Sequence, residues 1–310
     1  MCFSFTSGKF FFLNKRPTTF SIKDLENISG IKAHTIRIWE KRYNILIPNR
    51  TTTNIRLYNL DNLQKLLNVT FLYKSGYKIS KLGKLTNNQI KQTVRLIAAK
   101  KVNKDFFLDE LKMSMLTFDQ LKFEQTYNRL LSETSFREMF LDVFIPLLED
   151  IGLQWLSDNI TPSHEYFITG LITRKLLINI ENIKPFRSDS DKIYVLFLPD
   201  NEVHELGLLY ANYELLRKGN QTIYLGASAS KESLELIVSC YSDISFVSYF
   251  TIAPTKFEVN TYLIEINQNI LSKYGLSLSI LGRNAQEVTF KSDYIKVFNK
   301  IDDLLNKTIL

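Results

Sequence analysis

The strongest constraint on the fold is a change of hydrophobic period near residue 190. From there to the end, short apolar runs (Ile193–Leu198, Thr222–Leu225, Ile244–Tyr249, Leu276–Leu281 and Tyr294–Phe298) are separated by longer helical patterns. These patterns cover 202–217, 231–240, 257–274 and 301–307. Near-continuous apolar strands joined by helices predict a parallel sheet covered on both faces. Five strands predict a flavodoxin-like doubly wound parallel sheet over 187–310, with any ligand at the carboxyl ends of the strands. Upstream, the period is helical over 105–115, 118–132, 135–157 and 163–183. This predicts a four-helix-bundle cap over 105–186. The expected fold is therefore multidomain, α and α/β, and 310 residues suit two or three domains.

Charge divides the chain in a second way. Residues 1–104 hold 20 Lys and Arg against 4 Asp and Glu, a net of +16, whereas 105–310 carry a net of −9. A basic third on an acidic remainder points to a nucleic-acid-binding module joined to something else, or to a merely solvated basic face. An apolar content of 45% supplies a core and excludes disorder as the main state. No run of about 18 apolar residues exists to span a membrane. Phe10–Leu13 lacks a small-residue cleavage site, so residues 1–18 are expected to be an N-terminal extension rather than a signal peptide. Cys2 and Cys240 make neither a disulfide framework nor a zinc site and fit reduced cytoplasmic thiols.

Residues 19–87 predict a winged helix-turn-helix. Ser21 is placed to cap a short helix, with Asp24 in its first turn and Gly30 ending it. A second helix over 33–43 has Ile36, Trp39 and Tyr43 at apolar positions, with Arg37, Lys41 and Arg42 on its polar face. Such a helix enters the major groove. Pro48–Arg50 and Ile55–Tyr58 about a polar turn read as the two strands of a wing. Further helices are expected at 62–74 and 80–85. A basic amphipathic helix over 88–104 follows as a linker. Arginine pairs with phosphate or guanine edges. Arg37, Lys41, Arg42 and Arg50 are candidate contacts, and Arg56 either grips the backbone or anchors the wing. Trp39 is expected in the core, and Tyr58 in the core or at the DNA.

The run from Thr35 through Arg37, Trp39, Lys41 and Arg42 to Tyr43, then Pro48-Asn49-Arg50, then Arg56-Leu57-Tyr58, resembles the head of MerR-type transcription regulators. The resemblance covers about 19–85 and implies a double-stranded DNA operator read by Thr35, Arg37, Lys41, Arg42, Tyr43, Arg50, Arg56 and Tyr58. Trp39-Glu40-Lys41-Arg42-Tyr43 resembles the subgroup with a cobalamin sensor.

In the second half, the loop after the first strand carries Glu202, His204, Glu205 and Gly207. No GxGxxG or GxxxxGK[ST] accompanies it, so dinucleotide and P-loop chemistry lack support. On residue type alone, His204 is a surface histidine, Trp155 is core, and His164 is a helix N-terminal residue. However, Glu202-x-His204-x-x-Gly207 looks like the cobalamin-binding signature of methionine-synthase-type domains. That resemblance makes His204 the lower cobalt ligand, which Glu202 or another carboxylate can orient through its second nitrogen. It makes the helical bundle a cap over the corrin through Trp155 and Glu165, and it adds Ser248 and Gly282 to the cofactor set. Imidazole suits cobalt, and a carboxylate on its second nitrogen fixes its direction.

The whole resembles light-sensing, cobalamin-dependent MerR-type repressors. It implies a cytoplasmic regulator, not an enzyme, that takes adenosylcobalamin or methylcobalamin and works as a dimer or tetramer. RNA polymerase is a further implied partner, and no membrane is involved. Departures from the photoreceptor pattern stand at Leu156, Tyr166, Tyr249-Phe250 and Arg283. They leave two alternatives: the same regulator with a sensor that holds no cobalamin, and a corrinoid carrier or methyl-transfer protein.

Overall fold

The computed structural model describes residues 19–98, 104–154, 161–183, 192–227 and 229–307. The expected extension, the contribution of Trp155, and Leu156 lie outside the described residues. The chain forms two compact units, Met1–Ile168 and Thr169–Leu310.

The first unit opens with the helix-turn-helix, α1 (Ile22–Ser29) and α2 (Ala33–Tyr43). Ser21 and Asp24 cap α1 reciprocally, and Gly30 ends it in the left-handed region at φ +70°. The wing follows as β1 (Asn49–Arg50) and β2 (Arg56–Leu57), an antiparallel pair. Next come α3 (Leu60–Lys74), the single turn α4 (Ile79–Leu82) and α5 (Asn87–Ala98). Ile36, Trp39, Leu63, Leu66, Leu67 and Leu72 are buried at helical spacing, each worth about 1.5–3 kcal/mol.

The bundle helices are α6 (Lys104–Thr117), α7 (Gln120–Leu131), α8 (Phe136–Met139), α9 (Ile145–Gln154) and α10 (Pro162–Glu181). The helix expected over 135–157 is interrupted by a π segment at Phe140–Phe144. Phe140 and Phe144 meet edge to face there, with centroids 6.0 Å apart. The bundle touches the head through α3 and α6, where Phe71 and Phe106 meet edge to face. Arg129 lies over Phe106 and Phe107.

The second unit is the five-stranded sheet in the order β4-β3-β5-β6-β7, every pair parallel. The strands are β3 (Ile193–Phe197), β4 (Gln221–Gly226), β5 (Ile244–Tyr249), β6 (Ser277–Leu281) and β7 (Ile295–Val297). The three central strands are nearly continuous buried runs, as expected of a sheet covered on both sides. One face carries Val195, Phe197, Phe246 and Ile280 against Val259, Leu263 and Ile270. The other carries Leu196 and Val247 against α11 (Leu206–Arg217) and α15 (Ile301–Lys307). α12 (Lys231–Cys240) completes the crossovers, with α13 (Val259–Ile266) and α14 (Ser272–Tyr274). The helix expected over 202–217 starts only at Leu206, because residues 198–205 form a loop that buries Glu202. The helix expected over 257–274 breaks at a π segment, Asn267–Leu271.

One charged group in α6 is poorly accommodated. Half-buried Asp109 has its carboxyl pushed up to about 7, chiefly by burial. Lys112 and Lys74 oppose the rise, while Asp105 and Glu110 add to it. Lys112 is already paired with Asp150 at 2.6 Å. The folded state therefore binds this proton more tightly than the unfolded chain. Its penalty is absent below about pH 3.8 and complete above about pH 7. Asp109→Asn should raise the melting temperature by about 2–4 °C near pH 8 and lose that gain near pH 4. A gain of equal size at both pH values would contradict the assignment.

Candidate functional site

The basic face of the head is built on α2. Arg37, Lys41 and Arg42 are exposed along it, and Thr35 is half-buried in its first turn. The turn before α2 is held by Glu26, which accepts from the Ala33 backbone at 3.1 Å and pairs with Lys32 at 3.0 Å. In the wing, exposed Arg50 donates to Asn54 at 2.7 Å, and Asn54 turns the loop at φ +64°.

Other members of the expected DNA-binding set lie inward. Tyr58 is fully buried, and its hydroxyl donates to Glu40 at 2.9 Å. Burial and Glu40 push its phenol up. Arg56 donates through Nε to both oxygens of Glu40, at 3.0 and 3.2 Å. Tyr43 is half-buried, its backbone against Gly83, where a Cβ would come 2.7 Å from the Tyr43 carbonyl. Tyr58 is therefore corrected from a DNA contact to a core support, because a fully buried ring has no surface to offer. Arg56 and Tyr58 together fasten the wing to α2 through Glu40. That acidic residue in a basic helix was not singled out from sequence. Its signal is its oddness: it is the lone acidic side chain of α2. Trp39 is buried, edge to face with Tyr73.

In the bundle, Glu165 sits half-buried in the first turn of α10. His164 beside it accepts from the Thr161 backbone at 3.2 Å and stacks on Phe118. Burial lowers its basicity, against a backbone bond to Leu116. His164 thus caps the helix. Tyr166 is exposed.

The most organised site lies at the carboxyl ends of β3 and β5. Glu202 is 0% exposed, yet its carboxylate is saturated with donors. One oxygen accepts from Thr251, Ile252 and Ala253 backbone N–H groups at 2.8, 2.7 and 3.0 Å. The other accepts from the His204 backbone at 2.9 Å and faces His204 Nδ1 at 2.8 Å. Burial alone would raise this acid. The N–H groups of Ala253, His204 and Ile252 and the His204 ring outweigh it and hold the carboxyl below its usual range. An ionised carboxylate only accepts, so Nδ1 carries a proton, and in the neutral ring Nε2 then presents a lone pair. The ring is 44% exposed, and Val203 and Ile252 stand exposed on the loops that Glu202 joins. This donor set fits a borderline metal ion that arrives with its other ligands already in place. Among the described residues, no group of three or more His, Cys, Asp or Glu could hold a bare ion.

The remaining expected residues serve the frame of this site. Ser248 is fully buried, its hydroxyl donating to the Phe197 carbonyl at 2.8 Å. It ties β5 to β3. Gly282, at φ +101°, lets the last loop pass the Phe250 backbone, where a Cβ would lie 2.4 Å from its carbonyl. Gly207 lies under the Tyr249 ring. The Thr251–Ala253 segment was not foreseen, since only its backbone takes part and backbone leaves no residue signature.

Residues 20–89 match the MerR HTH family regulatory protein model, and residues 107–178 match the B12 binding domain model. The chain is similar to the HTH-type transcriptional repressor CarH of Myxococcus xanthus, 26% identical over 246 residues, which are 77% of this chain and 81% of that protein. The CarA repressor of the same organism is 23% identical over 223 residues, 70% of this chain and 71% of the other. Among solved structures, a monomethylamine corrinoid protein of Methanosarcina barkeri is similar, at 10% identity and a TM-score of 0.50, covering 67% of this chain and 99% of that one. At that identity the likeness is one of fold.

Glu202→Gln tests the site's anchor. A depressed acid contributes stability that is complete above about pH 4.5 and lost as pH falls through the lower folded value. At neutral pH the variant should be about 2–3 kcal/mol less stable in urea. The loss should narrow in acid as the wild type forfeits the same interaction. A loss that does not change with pH would contradict an ionised Glu202.

Proposed function

We propose that this chain, a MerR-type regulator carrying a B12-binding domain, binds an operator in double-stranded DNA and adjusts that binding to a cobalamin held at His204. The observation that carries the sensor half is the Glu202–His204 pair, with Nδ1 held at 2.8 Å and the side chain 44% exposed. His204 would hold a bound cobalamin by its imidazole, and the cofactor would supply a cobalt ion able to take that nitrogen. The protein's part is to fix the imidazole, keep its tautomer, and hold the neighbouring β5 loop with the same carboxylate. The exposed Arg37, Lys41, Arg42 and Arg50 supply the head's charge to phosphates and base edges.

The mechanism is linkage. A symmetric operator takes two heads, so the working species is a dimer or tetramer of this chain. A ligand that favours one assembly over another changes operator affinity through effective concentration, with no base contact altered. The relatives are repressors with a MerR head, so the chain is a regulator and not an enzyme. Its place beside DNA puts it in the cytoplasm. Among the described residues no helix is long and apolar enough to cross a membrane.

The test uses the full chain in the dark and an operator duplex recovered by in vitro selection. Arg37→Ala should weaken operator binding about tenfold or more and leave the adenosylcobalamin spectrum unchanged. His204→Ala should lose the spectral change on titration and make operator binding indifferent to adenosylcobalamin. Wild-type operator affinity that does not respond to adenosylcobalamin would overturn the sensor. Equal operator affinity for wild type and Arg37→Ala would overturn the placement of the DNA-binding face.

A further inference from the structure

A tyrosine ring stands in the crevice at the switch point of the sheet. In the order β4-β3-β5-β6-β7, the chain leaves β3 towards β4 on one side and returns as β5 on the other, so the crevice opens between the ends of β3 and β5. Tyr249 is the last residue of β5. Its ring lies so close on Gly207 that a Cβ there would meet three ring carbons at 2.7–2.9 Å. Tyr224, near the end of β4, donates to Glu205 at 3.0 Å. Both rings pack on the cluster that contains Leu196, Leu198 and Leu208. Two tyrosines thus occupy the space between the first turn of α11 and the strand ends, directly behind the His204 loop.

This matters for the lower side of a corrinoid. If His204 takes the lower cobalt position, the displaced nucleotide tail of a complete cobalamin hangs from the same face, towards the strand ends. A corrinoid that lacks the tail makes no demand there. We propose that Tyr249 is a specificity residue that makes this chain discriminate corrinoids by their lower tail, admitting a tail-less corrinoid directly and a complete cobalamin only when the ring swings off Gly207. The inference rests on the cobalamin reading above. A conformer populated in about one molecule in ten lowers apparent affinity about tenfold.

The experiment compares adenosylcobinamide, which has no nucleotide, with adenosylcobalamin. Binding to the full chain in the dark is followed by visible absorption. Wild type should bind adenosylcobinamide about tenfold tighter. Tyr249→Ala should close that gap by tightening adenosylcobalamin alone, while Tyr249→Phe, which keeps the ring, should behave as wild type. Thermal unfolding of both variants checks that the domain remains folded. Equal wild-type affinities with His204-dependent spectra would overturn the role of Tyr249 and leave the cobalamin site standing. The same holds if Tyr249→Ala weakens both ligands alike. If no corrinoid binds to wild type or to Tyr249→Ala, both readings fall together.

Discussion

Everything at the carboxyl ends of β3 and β5 depends on one buried carboxylate. Glu202 has no exposed surface, and an unpaired charge in such a place would cost several kcal/mol. Five N–H donors from two loops resolve that cost. In doing so they fix the direction of His204 and the position of Thr251–Ala253 in the loop after β5. The loop that carries Glu202 and His204 runs to Glu205, and α11 begins at Leu206.

The head uses the same device at smaller scale. Glu40 gathers Arg56 of the second wing strand and Tyr58 just after it and binds them to the helix that carries Arg37, Lys41 and Arg42. In both places one acid sets the geometry of the side chains gathered around it. The partly paired Arg56 has less freedom to reach DNA than Arg50, whose partner is the neutral Asn54.

Much of this was legible in the chain itself. The change of period near residue 190 carried the five parallel strands, and the order of Arg37, Arg50, Arg56 and Tyr58 carried the winged head. What escaped reading is long-range or backbone in nature. Glu202 meets residues some 50 positions away through their N–H groups, which leave no trace in residue type. Tyr58 and Ser248 share motifs with surface residues, yet their hydroxyls found buried acceptors in Glu40 and the Phe197 carbonyl. Gly207 signals a close approach, but only the fold shows that Tyr249 makes it. The π segments at Phe140–Phe144 and Asn267–Leu271 interrupt helices whose apolar period runs on unbroken.

The central proposal is that Nε2 of His204, whose ring Glu202 holds through Nδ1, is a cobalt ligand. The most direct measurement is the electron paramagnetic resonance spectrum of cob(II)alamin bound to protein labelled with nitrogen-15 in histidine. A single axial nitrogen splits each cobalt line into three when it is nitrogen-14 and into two when it is nitrogen-15. The account predicts the change from triplets to doublets on labelling, and its absence in labelled His204→Ala. Triplets that persist in the labelled wild type would place the cofactor's own base on the cobalt and contradict the account.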